Sequence, residues 1–149
     1  MNWAPAEEWR VAHIATYLRA QDAAEVFYSH ASSPEEAVFD SWKNSPDCRC
    51  IDGDDGTPVG ICGVASGGLI WLLGTEDLLA TASHRRQFIR GAKKWVNGLL
   101  NEGSGPLHNW VFAANRDSIL WLKKLGFRFW PAEPYGPCGQ LFRYFERSI

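Results

Sequence analysis

Three basic side chains in a row, His84, Arg85 and Arg86, stand at the start of the clearest helix-forming stretch of the chain. A helix N-terminus carries unpaired N–H groups and a partial positive charge, so basic side chains placed there suit an anion, above all a phosphate. The plainer alternative is a solvated basic face. Two carboxylates, Glu76 and Asp77, follow an apolar run and are able to take a proton, although a turn or helix-cap role competes with that use. Tyr135 and Tyr144 carry phenol protons in the C-terminal part, and His13, His30 and His108 read as packed or solvated histidines. The cysteines, Cys48, Cys50, Cys62 and Cys138, have no second close pair and no histidine at zinc-finger spacing, so no metal site is expected and reduced thiols are.

The elements that position these residues follow from the apolar spacing. Residues 6–20 read as a helix, Asp22 as the N-cap of a short helix over 23–28, and Ser33-Pro34-Glu35-Glu36 as a strong helix start that runs to just before Pro46. Residues 48–51 and 59–65 flank the turn-forming stretch from Asp52 to Gly56 and read as a hairpin. The unbroken apolar run Leu69-Ile70-Trp71-Leu72-Leu73 suits a strand covered on both faces. From Ser83 to Leu100 the apolar residues Phe88, Ile89, Ala92, Trp95, Val96, Leu99 and Leu100 form one helical stripe. Residues 108–114 read as a strand, Asn115 as the cap of a helix over 116–125, and Gly126 as its positive-φ C′ residue. Residues 127–130 and 140–145 are strands separated by a proline- and glycine-rich loop over 131–139. The order predicts an α/β fold: a central mixed sheet with helices on both faces, in one domain of residues 1–149. Residues 1–46 are its helical part, and residues 47–149 carry the sheet with two βα units.

Composition bounds the function. The 149 residues carry 15 Lys+Arg against 17 Asp+Glu, which argues against a uniformly basic nucleic-acid binder. No apolar run approaches the roughly 20 residues of a membrane span, and no signal peptide is visible. Eight tryptophans are spread along the chain. Indoles on this scale serve cores and interfaces first. Trp71, Trp95, Trp110 and Trp121 fall on expected sheet or core-helix positions, while Trp3, Trp9 and Trp42 fall on the helical part without an assigned place.

The stretch Asn115-Arg116-Asp117-Ser118-Ile119-Leu120-Trp121-Leu122-Lys123-Lys124-Leu125-Gly126-Phe127 resembles the N-x-x-A-x-x-x-Y-x-x-x-G-F motif of the GNAT N-acetyltransferase superfamily. Asn115, Gly126 and Phe127 match, and Ser118 stands for the small residue. Residues 58–147 also resemble a phage-encoded GNAT-like family that includes the podophage internal virion protein A. The pieces are Ile70-Trp71-Leu72-Leu73-Gly74-Thr75, His84-Arg85-Arg86-Gln87-Phe88, the run from Asn109 to Asn115, and the tail from Pro134 to Glu146. The resemblance implies a GNAT-like three-layer fold. It implies contacts to acetyl-CoA or CoA at Leu73, Gly74, Thr75, His84, Arg85, Arg86, Asn115 and Ser118. It places a general base at Glu76 or Asp77 and an acid at Tyr135 or Tyr144.

The chain departs from the superfamily pattern in two places. The phosphate loop of that family reads Q/R-x-x-G-x-G/A, yet the corresponding stretch from Ala80 to Gln87 has no glycine, and Gly91 is out of register. Leu122 stands where the family's tyrosine acid would be, and leucine has no proton to give. The resemblance and these losses together predict a catalytically degenerate relative that acts through contacts with phage or host proteins. Its setting would be the virion or its assembly in the host cytoplasm. An active acetyl-CoA-dependent N-acyltransferase with an atypical loop is the alternative, and a small host-inhibitor or anti-defence protein is a second.

Overall fold

The computed structural model describes all residues, Met1–Ile149. Eight strands form one sheet: β1 (Asn2–Pro5), β2 (Asp47–Asp52), β3 (Pro58–Ala65), β4 (Leu69–Gly74), β5 (Leu107–Phe112), β6 (Arg128–Phe129), β7 (Glu133–Tyr135) and β8 (Gln140–Arg147). The helices are α1 (Glu8–Thr16), α2 (Ala20–His30), α3 (Pro34–Lys43), α4 (Ala82–Asn101) and α5 (Arg116–Lys124), and a 3-10 turn spans Glu76–Leu79. The strand order is β1-β2-β3-β4-β5-β8-β6, with β7 also paired to β8. Every neighbouring pair is antiparallel except β4 and β5. The expected α/β architecture, a mixed sheet between helices, is the one observed.

Each face of the sheet has its own core, because successive strand residues point to opposite sides. Ile51, Val64, Ile70, Val111 and Phe145 pack with Phe88, Ala92, Val96, Leu99 and Leu100 of α4 and Trp121 of α5. Cys50, Ile61 and Leu73 pack on the other side with Val11, Ile14, Ala15 and Val38 of α1 and α3. Burial pushes the Cys48 thiol up to about 11 and Cys50 up to about 12, so both are protonated and inert. Helix α3 starts as expected: Ser33 Oγ accepts from the Glu36 N–H at 3.2 Å, and Glu36 returns the bond to the Ser33 N–H at 3.1 Å. Gly126 has φ +89°, the left-handed conformation that a C′ residue needs.

The sequence reading needs correction in four places. The helical N-terminal part begins with a strand: β1 pairs with β2, and Trp3 faces Ile51 in register. Residues 6–20 are not one helix, because Tyr17, Leu18 and Arg19 leave the helix to bridge to Thr75 and Gly74. Helix α2 starts at Ala20, so Asp22 lies in its first turn rather than at its N-cap. The loop over 131–139 contains β7, held by Leu141 and Phe142 of β8.

Strand β1 also gives Trp3 and Gly91 their reason. Trp3 lies under α4 with its ring 6.1 Å from Trp95. A Cβ at Gly91 would sit 2.4 Å from Trp3 Nε1, so only glycine admits the indole. Gly98, on the same helix, has nothing within 4 Å of a Cβ position. Gly98→Ala is therefore expected to gain about 1 kcal/mol from helix propensity, or about 2–4 °C in Tm. Gly91→Ala is expected to lower Tm despite the same propensity gain, because the indole must move. Thermal unfolding of the two variants side by side checks the contrast.

Candidate functional site

Parallel neighbours normally exchange hydrogen bonds along their whole length. Here β4 and β5 meet at a single register pair, Leu69 with His108, and then part. Side chains take over the unpaired strand edges. Asn109 Nδ2 donates to the Ile70 carbonyl at 2.9 Å, and Asn109 Oδ1 accepts the Trp110 N–H at 2.7 Å. Farther along, helix α2 reaches into the gap. The Gly74 N–H donates to Asp22 Oδ2 at 2.9 Å, and the Phe112 N–H donates to Glu25 Oε1 at 2.9 Å. Asn115 Nδ2 donates to Asp22 Oδ1 and to Glu25 Oε1, both at 3.3 Å. Arg19 Nη2 closes the group on Asn115 Oδ1 at 3.4 Å and on the Asp117 carboxylate at 3.4 Å.

Helical spacing makes this possible. Asp22 and Glu25 are three residues apart and so lie on one face of α2, and Arg19 is the N-cap residue that precedes them. The Arg19 N–H donates to the Gly74 carbonyl at 2.9 Å, and the Ala20 N–H donates to Glu76 Oε1 at 3.2 Å, which fixes the start of the helix on the end of β4. The Arg19 guanidinium lies 5.2 Å from the Trp121 ring, and its Nη1 is buried without a partner.

One guanidinium serves two inward carboxyls, and burial decides their protonation. Burial pushes Asp22 up to about 6 against the pull of Arg19, and pushes Glu25 up to about 8 with the charge of Asp22 adding to it. The hydrogen bonds divide the roles. Both Asp22 oxygens accept, from Gly74 and Asn115, and Arg19 is its counter-charge. Glu25 accepts at Oε1 alone. Asp22 is thus the ionised member and Glu25 holds the proton at neutral pH.

Between the Leu69–His108 pair and this bridge lies a cavity of about 740 Å³. It is lined by residues 69–73 of β4 and 108–111 of β5. Consecutive residues point to opposite faces, so the cavity runs between the strands rather than over one side of the sheet. Of the 34 lining residues, 23 are hydrophobic and none is Lys or Arg, so the walls offer little to an anion. Five of the eight tryptophans, Trp3, Trp71, Trp95, Trp110 and Trp121, line it. On the α2–α3 side, Tyr135 stacks on Trp110 at 4.6 Å, and Tyr144 meets the Trp110 ring edge-on at 5.5 Å.

The residues singled out in the sequence fall into separate places. Glu76 and Asp77 border a second cavity of about 260 Å³ with His13, Tyr17, Thr57 and Thr75. Tyr135 and Tyr144 line the large cavity, so the carboxylate and phenol candidates do not meet in one site. Tyr144 donates to Glu146 at 3.0 Å, and burial with that bond raises its pKa. Leu73, Gly74 and Thr75 are buried at the end of β4. Gly74 is committed to Asp22, and the Thr75 N–H to the Val59 carbonyl at 2.9 Å. Asn115 is at the N-cap position of α5, but its side chain caps nothing there and is 0% exposed inside the network. Ser118 and Leu122 line the large cavity from α5. His108 Nε2 has found a partner in the Gly67 carbonyl at 2.9 Å. Arg19, Asp22 and Glu25 were missed, although an acid pair three apart behind an arginine on one helix face is a readable signal.

The start of α4 is partly engaged within the chain. Thr81 caps the helix by accepting the His84 N–H at 3.0 Å. His84 Nδ1 is 2.9 Å from the Asp77 carbonyl, and its Nε2 is 3.4 Å from the Asp54 carboxylate. Arg85 donates to the Leu79 carbonyl at 2.9 Å. Arg86 alone of the three makes no hydrogen bond or ion pair. His84 and Arg85 therefore hold their own loop while Arg86 is free, and Asn115, the other group expected on a CoA arm, is fully buried. No group of His, Cys, Asp and Glu is arranged to hold a metal ion, and no helix is long and apolar enough to cross a membrane.

Solved structures place the architecture. A ribosomal-protein-alanine N-acetyltransferase from Brucella melitensis superposes with a TM-score of 0.71 at 12% identity, covering 100% of each chain. An acetyltransferase from Agrobacterium tumefaciens gives 0.66 at 15% identity, covering 97% of this chain and 90% of that one. A ribosomal L7/L12 α-N-protein acetyltransferase in complex with coenzyme A gives 0.62 at 10% identity, covering 99% and 93%. The chain has the GNAT acetyltransferase fold. No protein-family model matches the sequence, and no curated protein is significantly similar to it.

The raised carboxyl pKa values set the sign of a pH dependence. The folded chain binds protons at Asp22 and Glu25 that the unfolded chain has already released, so stability falls as pH rises through the window from their ordinary values, 3.8 and 4.5, to about 6 and about 8. Denaturant titrations between about pH 5 and about pH 9 are expected to show a steady loss of stability. Glu25→Gln, which keeps the acceptor for Phe112 and Asn115, is expected to flatten most of that slope.

Proposed function

We propose that this chain is a GNAT-fold protein without CoA-dependent catalysis, and that it acts through contacts with other proteins. The observation that carries this reading is the bridge across the strand gap. The N–H groups of Gly74 and Phe112, which face the gap and would be free to bind an amide-bearing arm, are taken by Asp22 and Glu25. A ligand using those edges must displace the buried Asp22 carboxyl and the half-buried Glu25 carboxyl together with Asn115. The engagement of His84 and Arg85 within the chain and the separation of the carboxylate and phenol candidates support the same reading.

The protein-contact role draws on surface chemistry. Trp9, Tyr17 and Phe27, on or beside α1 and α2, are each more than half exposed, and exposed aromatic side chains are the residue types enriched in interfaces. The sequence resemblance to the phage-encoded GNAT-like family supplies a setting: the virion or its assembly in a host cytoplasm, with phage or host proteins as partners. A host-inhibitor or anti-defence role is a variant of the same contact function.

A second reading, an acetyl-CoA-dependent N-acyltransferase, is favoured by one observation, the open cavity where β4 and β5 part. In that reading Ser118 and the phenol of Tyr135 face the reacting groups, and Arg85 and Arg86 hold phosphate by their side chains. Thermal unfolding with CoA and with acetyl-CoA at millimolar concentration separates the two. The degenerate reading expects no change in Tm. A saturable rise that disappears in the Arg85→Ala, Arg86→Ala double variant would show that CoA binds and overturn the degenerate reading in favour of the acyltransferase one, which acetyl-CoA turnover then tests.

A further inference from the structure

The cavity between β4 and β5 has a second property, independent of whether the protein contacts a partner: its walls are mostly apolar, and Glu25 lines it from α2. We infer that this cavity is a binding site for an uncharged, largely apolar molecule carrying a carbonyl, with the Glu25 carboxylic acid as the hydrogen-bond donor to that carbonyl.

Size and lining come first. About 740 Å³ is within the range of pockets that enclose a small organic molecule. The α4–α5 side is walled by Phe88, Ala92, Val96, Trp121 and Leu125, which bury an apolar body and accept no polar group. No Lys or Arg lines the cavity, while Glu25 and Asp40 do, so a carboxylate or phosphate would be buried without a counter-charge.

The head-group preference follows from the bonds at Glu25. Oε1 is filled by the Phe112 N–H and Asn115 Nδ2, and Oε2 takes no hydrogen bond from the chain while the residue lines the cavity. Behind Glu25, Asp22 is the anion and Arg19 its counter-charge, with Asp117 on the far side of Arg19 and Glu76 beyond Asp22. His30, Asp40 and His108 face the cavity from α2, α3 and β5. Burial and the charge of Asp22 outweigh the pull of Arg19 on Glu25, so Glu25 keeps its proton, and the oxygen left for that proton is Oε2. A neutral carboxylic acid in an apolar site is a hydrogen-bond donor, a use that active sites make of raised carboxyl pKa values. A carbonyl accepts this bond. An ammonium group has no lone pair with which to accept it.

The test uses three probes of one shape: benzylacetone, which is neutral with a carbonyl, hydrocinnamate, which is anionic, and phenylpropylamine, which is cationic. Intrinsic fluorescence reports binding, because five of the eight indoles line the cavity. Benzylacetone is expected to give a saturable change and to bind at least about tenfold more tightly than either charged probe, the margin set by burying an unpaired charge. Its affinity is expected to fall by about tenfold between about pH 7 and about pH 9, as the donor proton is lost. Glu25→Gln, whose amide N–H replaces the acid O–H, is expected to bind benzylacetone without that pH dependence. Ser41→Trp, a substitution on α3 at the cavity wall, is expected to abolish binding and guards against a Glu25 variant that fails to fold. No saturable change with benzylacetone would overturn the proposal. So would equal or tighter binding of a charged probe, or an unchanged pH profile in a folded Glu25→Gln protein. None of these outcomes depends on CoA or on a protein partner, so this site and the proposed function stand or fall separately.

Discussion

The structure turns on the side chains that span the opening between β4 and β5. Two parallel strands that meet at one register pair leave N–H and C=O groups facing each other with no partner, and a buried backbone group without a partner is destabilising by about 1–3 kcal/mol. This chain solves the problem with its own residues. Asn109 spans the near end of the gap, and Asp22 and Glu25 take the exposed N–H groups at the far end. Asn115 ties the two carboxyls together and Arg19 supplies one positive charge. The position of α2, the burial of Asn115 and the shape of the cavity all follow from that arrangement.

The same bridge shows how this sheet keeps its shape around an opening that its own side chains span. An opening in the sheet that is completed by a bound molecule in one protein can be completed by side chains in another, and the sheet keeps its shape in both cases. Fold and chemistry are separate inheritances here. The strands β4 and β5 part, and α4 starts as a capped helix end, with Thr81 accepting the His84 N–H and with His84 and Arg85 turned onto the preceding loop. The cavity between the strands is mostly apolar and has no Lys or Arg in its lining.

Most of the fold was readable in the amino-acid order, because strong local signals agreed with it. The apolar stripe of α4, the capping box of α3, the continuous run of β4 and the glycine after α5 each form as their residues dictate. The short strand β1 was not readable, since Asn2-Trp3-Ala4-Pro5 is stabilised by pairing with β2 and by packing of Trp3 on Gly91, both distant in sequence. The break between α1 and α2 was hidden for the same reason: it depends on Gly74 and Thr75. The site was harder still. Asn115 looked like a helix cap or a ligand contact, and Asp22 like a cap. Their actual partners lie 93 positions apart in the chain and meet only when the sheet has formed.

The central claim is that the chain's own carboxyls, rather than a bound cofactor, complete the strand gap. Residue-resolved hydrogen exchange at the Gly74 and Phe112 amides measures this directly, in the free protein and with saturating CoA. The account predicts strong protection of both amides in the free protein, lost at Phe112 when Glu25 is replaced by Ala, and no change when CoA is added. Fast exchange at both amides in the free protein, with protection appearing only on addition of CoA, would contradict it.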